Sequence, residues 1–105
     1  MTIRNVLPQR RYGETFELTH GKHNTAFQIT TGHYPDGTIG EVFISGAKAG
    51  TDLEAVARDG AVLMSLALQH GCTIETMRHA ITREQDGKPS TIVGAVIDKL
   101  TELVK

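Results

Sequence analysis

Gly46-Ala-Lys-Ala-Gly50-Thr51 is the stretch whose residue types and spacing could do chemistry. Two glycines bracket a lysine, and Thr51-Asp-Leu-Glu54 follows as a helix-start pattern. Glycine lets a backbone approach a ligand and take unusual φ. The N–H groups at a helix start carry partial positive charge, and Lys48 adds a full one. The chemistry this predicts is binding of a phosphate or other anion, a nucleotide included, at Gly46, Lys48, Gly50 and Thr51. The spacing is not that of a Walker A loop, since no Lys-Ser/Thr pair closes it. The plain alternative is a strand-to-helix connector whose glycines solve geometry.

Three further residues are candidate supports for such a site: Glu41, Arg83 and Ser90. Glu41 sits inside an apolar strand, where a half-buried carboxylate needs a partner such as Arg58, Lys48 or Arg83. Alternation places it on one face with Ile39, Phe43 and Ser45. His20-Gly-Lys-His23 could bring two imidazoles together, with His33 close across a hairpin. A metal site needs three or four ligands in defined geometry, so no metal or other cofactor is expected. Cys72 lies just before a helix start, a position that can activate a thiol, but a packed inert thiol is the simpler expectation.

These residues must be carried by local structure. Thr15–Thr19 and Thr25–Thr31 alternate as strands, with Phe16, Leu18, Phe27 and Ile29 inward. Pro35-Asp-Gly37 is a turn, because Pro presets φ and Asp-Gly tolerates positive φ. Ile39–Ser45 is the most apolar strand and is expected at the centre of an antiparallel meander. A long helix follows from Thr51 to the cap Gly71, with Leu53, Val56, Ala57, Gly60, Ala61, Met64, Ala67 and Leu68 at helical spacing. Leu63 and Leu66 widen that stripe, predicting burial on more than one side. Gly60 is expected to admit a close neighbour. Thr73 opens a short helix with a seam of Ile74, Met77 and Ile81. Ser90 or Thr91 opens a third, striped by Val93, Val96, Ile97, Leu100 and Val104. The predicted class is α+β: a three-stranded antiparallel meander followed by three helices packed on one face. Residues 1–11 read as an N-terminal arm, docking through Val6-Leu7 or loosely ordered, and 12–105 as a single domain.

The chain has 105 residues and a net charge of −1, with no strongly basic tract, which argues against tight non-specific nucleic-acid binding. Only 5% of residues are aromatic, too few for stacking platforms. A single cysteine leaves no intrachain disulfide. No run approaches the roughly 18 apolar residues of a membrane helix, and the first eight residues lack a leader's apolar core. The expected location is the cytoplasm.

Gly40-Glu-Val-Phe-Ile-Ser-Gly-Ala-Lys-Ala-Gly-Thr51, Leu63-Met-Ser-Leu-Ala-Leu-Gln-His-Gly71 and the helix opened by Ser90-Thr-Ile-Val-Gly-Ala-Val96 carry a family likeness in this order and spacing. Over roughly residues 12–102 the chain resembles the TSCPD domain. That domain is usually found near the C-terminus of ribonucleotide reductases, especially cobalamin-dependent ones, and also as small free-standing proteins. The namesake Thr-Ser-Cys-Pro-Asp falls on Ser90-Thr91-Ile92-Val93-Gly94, so its Cys, Pro and Asp are replaced. Some relatives carry further cysteines tied to metal binding, and this chain keeps none at those places. Reductase chemistry needs a thiyl-forming cysteine, a redox pair and a large barrel, which one cysteine and 105 residues do not supply.

The resemblance therefore implies a non-catalytic module of deoxynucleotide synthesis, partnered by ribonucleotide reductase, another protein or nucleic acid. A homodimer would hide an apolar sheet face. The alternative is a small phosphate- or nucleotide-binding protein or enzyme using the Gly46–Gly50 loop. A third reading is a regulator that has kept the fold and lost the original partner.

Overall fold

A computed structural model describes residues 3–46, 48 and 50–103. Ala47 and Ala49 of the glycine loop, Met1 and Thr2 of the arm, and Val104 of the third helical stripe lie outside them. Three strands are followed by three helices: β1 (Gly13–His20), β2 (Thr25–His33), β3 (Ile39–Gly46), α1 (Asp52–Gln69), α2 (Ile74–Ala80) and α3 (Ile92–Leu103). The sheet is an antiparallel meander in the order β1-β2-β3. The α+β arrangement is the one expected from the strand and helix periodicities.

The central strand is β2, not β3 as expected. β3 is an edge strand, and its apolar content has another source. Val42 and Ile44 face the core, and α1 packs along the strand. The open edge of β3 is closed by side chains of α1 rather than by a fourth strand. The Val42 N–H donates to Ser65 Oγ at 2.9 Å, and the Ser65 hydroxyl lies 3.1 Å from Val42 O and 2.8 Å from Ala61 O. One turn later Gln69 Nε2 donates to Gly40 O at 2.9 Å. Ser65 and Gln69 are four apart on the helix, and Gly40 and Val42 are two apart on the strand. The two periods coincide there, so edge groups that would otherwise solicit another chain are satisfied.

The core is one cluster. Phe27, Ile29, Val42 and Ile44 from the sheet meet Ala57, Ala61 and Met64 of α1 and Ile92, Val96, Ile97 and Leu100 of α3. Ile29, Val42, Val96 and Leu100 are sealed from solvent, each contributing about 2 kcal/mol by burial. The other sheet face is open, and Thr15, Glu17, Thr19, Gln28 and Ser45 are exposed there. Its polar character removes the reason given for a dimer hiding an apolar sheet face, although Phe43 is exposed on it.

Two expectations about faces need correction. The β2–β3 register shifts between Gly32 and His33, so Ile39 leaves the face of Glu41, Phe43 and Ser45 and joins the core. On α1 the small residues Ala57 and Ala61 face the sheet, while Leu53, Val56, Leu63 and Leu66 are exposed. The helix is buried on one side, not several. Its cap is half of the expected capping box. Thr51 Oγ1 accepts the Glu54 N–H at 3.3 Å, but Glu54 turns to Arg58 at 2.8 Å instead of reaching back. His70 is the C-cap, and Gly71, at φ +95°, follows it in the left-handed conformation that ends the helix.

The arm is docked. Leu7 is buried, Val6 is exposed, and the Asn5 N–H donates to Gln69 O at 2.7 Å. The close neighbour of Gly60 is the Val93 side chain: a Cβ on Gly60 would stand 2.4 Å from Val93 Cγ2.

Ser65→Ala leaves the Val42 N–H without its partner and should lower unfolding free energy by about 1–2 kcal/mol in urea titration. Gly60→Ala should reverse sign with background. It destabilises the wild type by about 1 kcal/mol through the clash and stabilises Val93→Ala by a similar amount through helix propensity.

Candidate functional site

The glycine loop lies where the sequence places it, between β3 and α1. Gly46 has φ +113°, and a Cβ there would meet Ala26 O at 2.8 Å and Phe27 Cα at 2.9 Å. The close approach of β2 therefore requires glycine by itself. Gly50 has φ +82° with open space around it, as a turn requires. The Thr51 hydroxyl donates to Lys48 O at 2.6 Å and accepts from Glu54. Lys48 is exposed at the start of an 18-residue helix. Asp52 and Glu54 stand in that helix's first turn, so carboxylates already occupy part of the positive end an anion would use. A shallow depression of about 510 Å³ reaches this loop through Gly46, with Phe27 and Gln28 among its walls.

The three supporting residues do not converge on that loop. Glu41 lies across Gly32, its cross-strand neighbour, and pairs with Arg11 of the arm, whose Nη2 is 3.3 Å from Glu41 Oε1. Arg58 is held by Glu54 and Arg83 by Asp98, so none of the three partners expected for Glu41 is the one it takes. Arg83 forms a fork with Asp98, both contacts at 2.8 Å, and also donates to Arg78 O and Gly87 O. Two of these contacts clamp α3 onto the loop before it, one ties that loop to α2, and one closes it on itself. The Ser90 hydroxyl donates to Glu84. Thr91 Oγ1 caps α3 through the Gly94 N–H at 3.0 Å. Ile92 is in the core, Val93 sits on Gly60, and Gly94 packs against Ile81 and Pro89. Ile92, Val93 and Gly94 thus serve packing.

The imidazoles separate as well. His20 and His23 lie at the β1–β2 hairpin, with His20 Nε2 3.5 Å from Ser90 O. His33 is at the opposite end of β2, not across the hairpin. Among the described residues no three His, Cys, Asp or Glu side chains are arranged to hold a metal ion.

His33 does line a cleft that was not singled out from the sequence. Some 800 Å³ is enclosed by the end of the inner sheet face and the α1–α2 junction, with Glu14, Phe16, Thr31, Cys72 and Ile74 in its walls. His33 Nδ1 is 3.0 Å from Gly37 O, which can only accept, so Nδ1 carries the hydrogen. In the neutral ring Nε2 then accepts from the Thr31 hydroxyl at 2.8 Å, with Glu14 at 3.8 Å. Both ring nitrogens are engaged, and the Tyr12 ring packs edge-on at 5.2 Å. At the rim the Thr38 hydroxyl and N–H hold the Asp36 carboxyl below its ordinary range, and the Arg78 guanidinium does the same for Glu75. Cys72 Sγ contacts Thr73 O at 3.7 Å rather than an imidazole. The cleft can take up an apolar group beside carboxylates, but it does not pair a nucleophile with a base. Its signal was present: residues 27, 29, 31 and 33 share one strand parity, which places His33 inward with Phe27 and Ile29.

The chain matches the TSCPD domain over residues 1–103 and belongs to that family. It is 39% identical over 79 residues to a vitamin B12-dependent ribonucleotide reductase of Agrobacterium fabrum, which covers 75% of this chain and 6% of the relative. The corresponding enzyme of Bradyrhizobium diazoefficiens is 35% identical over 82 residues, 78% of this chain and 6% of the relative. That of Streptantibioticus cattleyicolor is 34% identical over 74 residues, 70% of this chain and 12% of the relative. The chain thus spans only about a tenth or less of these relatives' length and corresponds to one segment of each. No solved structure matches it significantly. No helix among the described residues is long and apolar enough to cross a membrane.

The Asp98 carboxyl is held below its ordinary value of 3.8, chiefly by the Arg83 hydrogen bonds. A depressed folded value means stability present above the unfolded value and lost as pH falls through the folded one. Asp98→Asn should therefore melt below wild type at pH 6. That gap should close below about pH 4, which thermal melts across pH 2.5–7 would follow.

Proposed function

We propose that this chain is a non-catalytic accessory module of ribonucleotide reduction, acting in the cytoplasm through protein contacts with a reductase catalytic chain. The observation that carries this reading is the position of the likeness. Most of this chain aligns with a small fraction of vitamin B12-dependent reductases, while its own thiol chemistry is limited to Cys72. The specific side-chain contacts between elements serve the fold: Ser65 and Gln69 on the β3 edge, Arg83 on Asp98, and Val93 on Gly60. The recognition surface then lies on the outside of the domain, as protein contacts require.

A second reading has one observation in its favour, the exposed Lys48 at the start of α1. On that reading Gly46, Lys48, Gly50 and Thr51 bind a nucleotide or phosphate, with or without turnover. Asp52 and Glu54 in the first turn weigh against it.

The immobilised chain should retain the catalytic chain of a vitamin B12-dependent ribonucleotide reductase whose own TSCPD segment has been removed. A dissociation constant around 1–10 µM is expected for a transient contact. The chain alone should reduce no ribonucleotide. Absence of retention would overturn the first reading. A thermal shift with ribo- or deoxynucleotides, present in wild type and lost in Lys48→Glu, would establish the second. A ligand at 100 times its Kd adds about 2.7 kcal/mol, a shift of several degrees for a domain of this size.

A further inference from the structure

The outward face of α1 is the unexplained surface of this domain. Leu53, Val56, Val62, Leu63 and Leu66 are 37–67% exposed, whereas the helix turns Ala57 and Ala61 inward. Single exposed apolar side chains need no account, but a contiguous set on one helix marks a contact surface. An apolar groove of about 470 Å³ continues it, running between α1 and β3 past Val62, Leu66 and the exposed Phe43.

The order of residues along that face identifies the occupant. Asp52, Val56, Asp59, Leu63, Leu66 and His70 are all exposed and fall at alternating intervals of four and three, the spacing of a seam between paired helices. The seam is complementary to itself in the antiparallel sense. With a two-fold axis at the level of residue 61, Asp52 of one copy faces His70 of the other. Val56 then faces Leu66, and Asp59 faces Leu63. A carboxylate meets an imidazole at both ends, Val56 and Leu66 meet inside them, Asp59 lies against Leu63 at the centre, and each helix N-terminus lies beside the partner's C-terminus. A two-fold contact requires such self-complementarity. His70 Nδ1 lies 2.8 Å from Leu66 O, so Nε2 is the ring nitrogen not used within the helix.

We infer that α1 is the interface of a homodimer, packed antiparallel on α1 of a second copy of this chain. This occupant is distinct from the reductase contact, and either can fail without the other. Asp59 is the polar residue within the seam, the kind that fixes register at a cost in affinity.

Sedimentation velocity on the whole chain should give a species of twice 11.4 kDa at concentrations of about 10 µM. Leu63→Glu should keep the far-UV spectrum and raise the dimer dissociation constant at least about a hundredfold. Asp59→Leu should lower it. In a Cys72→Ser background, Val56→Cys chains mixed with Leu66→Cys chains should oxidise to the mixed dimer faster than either forms its own. A monomer at about 100 µM would overturn the inference, as would a dimer indifferent to Leu63→Glu. Preferential 56–56 and 66–66 crosslinks would overturn the antiparallel register. A monomer whose reductase retention is lost with Leu63→Glu would give α1 to the reductase instead.

Discussion

The structure depends on how the free edge of β3 is closed. A three-stranded sheet has two edges, and an apolar edge strand is the one most prone to pair with the wrong chain. Here α1 lies along β3 and supplies Ser65 and Gln69 to its outward backbone groups. The core follows from that placement. With α1 fixed on β3, Ala57, Ala61 and Met64 meet Val42 and Ile44, and α3 fills the remaining inner face as far as β1. The short side chains of Ala57 and Ala61 let the helix approach closely enough for a serine hydroxyl to reach a strand backbone. A bulkier inward face would separate them and leave the edge open.

The same requirement explains why α1 keeps its large residues outside. A helix that carries polar groups to a sheet edge cannot also bury a full apolar stripe there. Its remaining apolar residues are left on the opposite arc, where none of the described residues covers them. The open sheet face, by contrast, is dressed in threonine, glutamine and serine, and its half-buried carboxylate Glu41 is matched by Arg11. The domain has one face finished for water and one helix arc that is not.

Much of the fold could be read from the sequence because local signals agreed with tertiary ones. Thr51, Thr73 and Thr91 cap the three helices, Pro35-Asp-Gly37 turns the chain, and strand alternation places Phe27 and Ile29 inward. The failures have physical causes. β3 was expected at the centre because apolar content does not distinguish a strand flanked by strands from one flanked by a helix. Ile39 was assigned to the wrong face because one register shift reverses parity. Glu41 was matched to the wrong cation because its partner, Arg11, lies thirty residues away in an arm with no periodicity. The glycine loop drew notice for its composition, yet Gly46 answers first to the proximity of Ala26 and Phe27. The His33 cleft went unseen although the β2 alternation, carried two residues further, would have turned His33 inward.

Gln69 joins three parts of the molecule at one residue. Its Nε2 holds Gly40 O on the strand edge, its Oε1 accepts Arg4 Nε at 2.7 Å, and its own carbonyl takes the Asn5 N–H. The amide cannot be flipped without losing both side-chain contacts, so arm and edge share a single orientation. They are therefore thermodynamically linked. Whatever lifts residues 4 and 5 away removes the acceptor's partner and loosens the hold on Gly40. Whatever tightens that edge favours the docked arm by the same free energy.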